Sequence, residues 1–436
     1  MCFGQYTVIG RQLRKYGAVW VALFTLAASS AIASAQTTTI TVWDFKSGDP
    51  TLAAYFQQTV KDFEAAHPGV VVKHVAQPHD QYYSLLGAAI GANQGPDIVM
   101  LHGGSPTRER AGALVALNPE LGGLRDRLVG WEAFSGVNET IYAVPLTLQG
   151  QVVYYNKDIY RRAGLDPDKP PVTWAELDAD CTRIIARLHI ACFAMGNKDG
   201  YGSMFFFNSI AANSWSNAQR AAWADRKLAW SDPAVSNILR VWVEKSKAGW
   251  YTKGVNSTAT FPDEYDRFMR GEAANVIGLV SDTAHWKQFE AVLGPDKVGS
   301  YLPVALPGSA GANATGAKLS LPIAGGIGWA ITRWSPHKDL ALEYVKSMVS
   351  SAHLRTLFEA GGAMVSDGQF SRDGIDSPNG KKILEWIACC RAPMPQNSIG
   401  LSEVEVLRRD TQRMFDGSMS VDAAMSELDQ TRTSSK

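Results

Sequence analysis

Neither sign of charge is in excess in this chain: 42 Lys and Arg stand against 42 Asp and Glu among 436 residues. That balance removes the usual electrostatic reason for binding nucleic acid or an anionic membrane surface. Charged residues make up only 19% and apolar residues 46%, which excludes a fibrous or disordered chain. No apolar run is long enough for the ~20 residues of a bilayer-spanning helix, so a polytopic membrane protein is excluded as well. Cysteine is scarce. Of five, Cys2 lies at the extreme N-terminus, and Cys181, Cys192 and the adjacent Cys389 and Cys390 form neither a C-x-x-C pair nor a Cys/His zinc pattern, so no metal site is expected.

The catalytic signatures are also missing. There is no G-x-x-x-x-G-K-[ST], no G-x-G-x-x-G after a strand and no H-E-x-x-H. His102-Gly103-Gly104-Ser105 has the look of an esterase oxyanion loop, but without a G-x-S-x-G nucleophile elbow it is only a loop. The eight histidines do not cluster, and Asp178 and Asp180 have the wrong helical offset to face each other. An enzyme is therefore not expected, nor is a cofactor.

What the sequence does contain begins with a targeting pattern. Arg11, Arg14 and Lys15 precede an apolar stretch from about 18 to 26, and Ala33-Ser34-Ala35 offers a small-residue cleavage site before Gln36. Residues 1–35 are read as a signal peptide. Their loss removes three basic residues and no acidic one, leaving the mature chain slightly acidic. An oxidising compartment then permits disulfides. Cys181, on a helix, and Cys192, at the start of the next strand, either pair or serve as two small buried residues. Adjacent Cys389 and Cys390 are not expected to pair with one another.

The remaining chain alternates strand and helix. Ile40-Thr41-Val42-Trp43 reads as a strand, Asp49-Pro50 as a helix start, and Leu52, Phe56, Val60 and Phe63 as that helix's buried face. His67-Pro68-Gly69 stops it before a strand at 70–75. A second helix over about 80–92 leads to the wholly apolar strand Ile98-Val99-Met100-Leu101. The pattern resumes with a strand at 152–155 and a capping box at Thr173-Trp174-Ala175-Glu176. Such alternation predicts an α/β fold with mostly parallel sheets, and the length predicts two domains. Six of 13 tryptophans fall between 215 and 286; most are expected in the core, with Trp215 and Trp286 the better candidates for touching a ligand.

Several segments, in order, resemble the extracellular solute-binding proteins of ABC importers, in the sugar-binding group related to maltose-binding protein. They include Ile40-Thr41-Val42-Trp43, Phe63-Glu64-Ala65-Ala66-His67-Pro68-Gly69-Val70, Gly95-Pro96-Asp97-Ile98-Val99 and Tyr154-Tyr155-Asn156-Lys157-Asp158. Ala163-Gly164-Leu165-Asp166-Pro167, Phe268-Met269-Arg270-Gly271-Glu272 and Gly325-Gly326-Ile327-Gly328-Trp329 continue the series. The resemblance implies a two-lobed periplasmic-binding-protein fold with crossing hinge segments near 147–150, 300–302 and 361–362. Lobe 1 would be 36–147 plus 303–360, and lobe 2 would be 151–299 plus 363–436. It implies a monomeric periplasmic receptor that closes on a small solute, most simply a sugar, and hands it to membrane permease subunits; an anionic, glycerol-phosphate-type solute is the alternative, and a secreted carbohydrate-active hydrolase a more distant one.

Ligands of open α/β sheets lie beyond the carboxyl ends of strands, here the loops after Trp43 and Leu101. On the resemblance, Ser47, Gly104 and Ser105 belong to the lobe 1 wall and Gln149 to the first crossing, and Gly325 and Gly326 either let backbone approach the ligand or make a simple strand-to-strand bend. Asn197, Tyr201 and Trp286 are lobe 2 candidates. Asp282 either accepts sugar hydroxyls or caps the helix that carries Trp286. Arg391, before Pro393, stands where relatives often carry a ligand-binding arginine.

Overall fold

The computed structural model describes residues 37–136, 139–281, 284–311 and 318–434. The expected signal peptide and Asp282 lie outside the described residues. Residues 38 onward form one unit built on two sheets.

The first sheet holds β1 (Thr38–Asp44), β2 (Val70–Ala76), β3 (Ile98–His102) and β4 (Val144–Pro145), joined from far downstream by β10 (Ile327–Ile331). Its order is β2-β1-β3-β10-β4, with β1 parallel to β2 and β3, and β10 antiparallel to β3 and β4. Ile98 through Leu101 are wholly buried, as a central strand covered on both faces must be. The helix Ala53–Ala66 follows a short turn in which Asp49 accepts from the Thr51 amide at 2.9 Å. It buries Tyr55, Phe56, Thr59 and Phe63 against the helices Lys338–Met348 and Ser351–Gly361.

The second sheet is built on the long strand β5 (Leu148–Asn156). With β6 (Ala191–Phe193), β7 (Ala273–Leu279), β8 (Val298–Tyr301), β9 (Leu321–Gly325) and β11 (Arg391–Ala392) it runs β11-β9-β5-β7-β6, and β8 also pairs with β5. Over it lie the helix Trp174–Leu188, with the expected capping box between Thr173 and Glu176, and the nearly fully buried helix Tyr201–Ser214. Trp215, Trp223, Trp230 and Trp242 fill this core, and Trp215 spends its indole N–H on the Ala234 carbonyl at 2.8 Å. Trp215 is therefore packing.

The chain passes between the sheets at Thr147–Leu148 and again at Gly326. Leu148 to Gly150 pair with β9 in the second sheet, whereas Thr147 accepts from the Gly326 amide and β10 enters the first sheet one residue later. β9 thus stands in the second sheet, although the sequence reading began its first-lobe segment at 303. The stretch 321–331 is uniformly apolar and buried, so nothing in its composition marks where sheet membership changes.

Cys181 and Cys192 are bonded, with Cα atoms 5.1 Å apart, tying the helix Trp174–Leu188 to β6. Cys389 and Cys390 are bonded to each other as well, which corrects the expectation that neighbours do not pair. Cys389 is the last residue of the helix Pro378–Cys389, and Cys390, at φ −141° and ψ 49°, leaves the helical conformation.

Candidate functional site

The turn after β1 is set by Asp44. Its buried carboxylate accepts from the amides of Lys46 (2.8 Å) and Ser47 (2.5 Å) and from His74 Nδ1 (2.8 Å), while His74 Nε2 shares a hydrogen bond with the Tyr344 hydroxyl at 2.8 Å. Burial pushes the Asp44 carboxyl up, but the His74 hydrogen bond and charge and the two amides outweigh it and hold the group below its ordinary range. Held this way, the chain lays Phe45 flat against His102 at the end of β3, centroids 4.7 Å apart, with His79 and Tyr82 edge-on at 5.0 Å. Tyr83 joins them. Its hydroxyl meets His102 Nδ1 at 2.7 Å and accepts from the His102 amide at 3.0 Å, and the Arg110 guanidinium lies 4.5 Å over its ring.

A second group of rings comes from the other sheet's helices. Tyr201, in the first turn of Tyr201–Ser214, lies under the Arg408 guanidinium at 4.6 Å, with Phe205 at 6.0 Å and Phe261 edge-on at 5.9 Å. Phe261 in turn neighbours Tyr265 (5.4 Å) and His285 (5.9 Å) and keeps 37% of its surface exposed. Asp199 fastens the loop beneath by accepting from the amides of Tyr201 (3.1 Å) and Thr260 (2.9 Å). Burial pushes the Tyr83 phenol well up, opposed by the His102 amide and Arg110, and Tyr201 adds to the rise. The segments that carry the two groups meet through side chains, the Ser105 hydroxyl donating to the Ile399 carbonyl and the Glu109 carboxylate accepting from the Leu401 amide at 3.1 Å. Ring faces with polar edges suit a ligand with C–H surfaces and hydroxyls.

A cavity of about 1430 Å³ is lined by none of these rings. Trp131, Arg226, Ile323, Arg391 and Asn397 line it together with Leu148. Gln149, next to Leu148, is not among the residues that line it. Arg391 and the edge of Ser105 belong to this cavity, not to the ring groups.

The other sequence candidates are spread widely. Gly104, with φ +83°, lies against Asn397. Ser47 lines a separate groove beside Gln57, Lys61 and His74. Asn197 is fully buried, holding Thr411 and the Ser203 amide. Trp286 is buried against Phe358 and donates to the Gly362 carbonyl at 3.1 Å. Gly325 and Gly326 approach backbone, since a Cβ on Gly325 would strike Gly130 and Phe134 and one on Gly326 would reach Thr147. The structure thus places Tyr201 among the rings and brings Ser105 and Arg391 to the same cavity. Phe45 and His102 lay in loops already flagged, but Tyr83, Phe261 and Arg408 carry no motif. Among the described residues no cluster of His, Cys, Asp or Glu is placed to hold a metal ion, and no helix is long and apolar enough to cross a membrane.

Residues 48–353 match the family described as bacterial extracellular solute-binding protein. The chain belongs to that family. This solute-binding protein superposes on a chitin oligosaccharide binding protein with a TM-score of 0.78 at 20% identity, covering 92% of this chain and 99% of the other. It therefore has the two-lobed periplasmic-binding-protein fold. It is 24% identical over 264 residues to a binding protein of Brucella abortus (strain 2308), a match spanning 57% of this chain and 59% of that protein. It is also 27% identical over 162 residues, about a third of each chain, to the sn-glycerol-3-phosphate-binding periplasmic protein of Yersinia enterocolitica.

Proposed function

We propose that this solute-binding protein captures an uncharged, carbohydrate-like solute between the two ring groups, in the periplasm, and delivers it to the permease of an ABC importer without chemically altering it. The observation that carries the reading is the pair of ring groups, Phe45, Tyr83 and His102 on one side and Tyr201 and Phe261 on the other, beyond the strand ends and carried by segments that touch at Glu109 and Leu401. Lobe 1 is then 38–147 with 326–361, and lobe 2 is 148–325 with 362–434; the membership of β9 and β10 supports this division. Closure of one lobe on the other is driven by the solute's preference for the closed state.

An anionic solute is less well supported. Arg391 lies on the far cavity, and Arg408, the guanidinium over Tyr201, has Glu405 at 3.6 Å. The test is a thermal-shift screen of the chain against chito-, xylo- and malto-oligosaccharides, monosaccharides and glycerol phosphates. A sugar at 100 times its Kd adds about 2.7 kcal/mol and raises the midpoint visibly. A shift only with a phosphate-bearing solute, weakening steeply with salt, overturns the carbohydrate reading.

A further inference from the structure

The two disulfides differ in the properties that govern thiol exchange. Cys181 and Cys192 have no exposed surface, and their bond joins a helix to a strand across 11 positions. Cys389 is exposed and Cys390 half-buried. A bond between neighbours closes no loop beyond its own peptide, so it takes little conformational freedom from the unfolded chain, and opening it sacrifices little stability. Exchange also depends on access to the sulfur that is attacked. One bond is a structural tie, and the other is placed to open while the fold persists.

The position of the exposed pair gives its opening a consequence. Cys390 caps the helix Pro378–Cys389, its amide donating to the Trp386 carbonyl at 2.8 Å, and its own carbonyl accepts from the Leu321 amide at 2.7 Å. The next two residues are β11, paired with Leu321 and Pro322 of β9. β9 runs on to Gly325, beside Leu148, where the chain crosses between the sheets. The ring is thus fastened to the first residue of a crossing strand.

We propose that Cys389–Cys390 is a reversible dithiol–disulfide switch, opened by a dithiol reductant, that controls how firmly β9 is held. A thiolate of the reductant attacks Cys389 Sγ, and the electron pair of the broken S–S bond leaves on Cys390 Sγ, which takes up a proton. The reductant's second thiol then attacks the mixed disulfide, closing the reductant's own disulfide and releasing Cys389 as a thiol. Two electrons and two protons pass from the dithiol to the protein.

The full chain is treated with dithiothreitol under native conditions, labelled with N-ethylmaleimide and mapped by peptide mass spectrometry, with amide hydrogen exchange followed in parallel. Cys389 and Cys390 are expected to label at least ~10-fold faster than Cys181 and Cys192. Exchange at the Leu321 amide is expected to rise at least ~10-fold in the reduced protein. The double variant Cys389→Ser with Cys390→Ser, which leaves the structural disulfide in place, should exchange at Leu321 as the reduced protein does. Equal labelling of all four cysteines, labelling of Cys389 and Cys390 without reductant, or unchanged exchange at Leu321 in both reduced protein and variant overturns the proposal.

Discussion

A buried carboxyl must either shed its proton to neighbours that welcome the charge or keep it, and Asp44 and Glu264 do one each. Asp44 titrates below its ordinary 3.8 because His74 and two amides outweigh burial; its stabilisation is present above that value and is lost as pH falls through the lowered one. Glu264 is the reverse. Burial pushes it well above 4.5, opposed by the Gly196 amide and helped by the Asp199 charge. The unfolded chain then releases its proton first, so stability declines as pH climbs past that value. Urea midpoints from pH 2 to 8 should show Asp44→Asn weakening the acid-side dependence and Glu264→Gln, which retains an acceptor for the Gly196 amide, flattening the decline toward neutrality. The aromatic residues divide in the same checkable way. Tyr201→Ala should weaken solute binding by at least ~10-fold, about 1.4 kcal/mol, in calorimetry. Trp286→Phe should leave affinity unchanged and lower stability by about 1 kcal/mol through the lost bond to Gly362. Sequence could not separate these two roles, because an aromatic stacked on Phe358 and one offered to a ligand leave the same mark in a helical pattern.

Elements whose cause is local were legible. The Thr173–Glu176 box, the Asp49-Pro50 start and the buried run of β3 each depend on a few neighbouring residues, and the structure has all three. The helix Trp174–Leu188 and β6 are local too, and their disulfide is the tie whose loss is predicted to be felt. Replacing Cys181 and Cys192 by Ala should reduce stability by about 2–4 kcal/mol, read from denaturant midpoints. The same change at Cys389 and Cys390 should move the midpoint far less. What sequence left hidden depends on partners far along the chain. The ring groups of Tyr83 and Tyr201 stand on elements more than a hundred residues apart, and β9 and β10 differ only in which strand they find.

For the molecule as a whole, the crossing at Gly325–Gly326 is a tight passage. Gly103, Gly130 and Gly325 crowd there so closely that a Cβ on Gly325 would come within 2.5 Å of the Phe134 ring. Gly325→Ala should therefore destabilise the chain by about 1–3 kcal/mol and weaken solute binding together with stability, whereas Tyr201→Ala changes binding alone; melting and calorimetry on the two variants distinguish them. The two-lobed architecture was implied by the family resemblance of segments in order along the chain, but the exchange of β9 and β10 between sheets is a matter of pairing. The place of β10 also sets a timetable. It lies between β3 and β4, with Ile331 opposite Ile98, so a chain emerging from the ribosome holds its first three strands for more than two hundred residues before the strand that completes their sheet exists. Contacts that far apart form slowly, and the nascent protein spends its synthesis as an unfinished sheet, in a form still pliable enough to be threaded elsewhere before it sets.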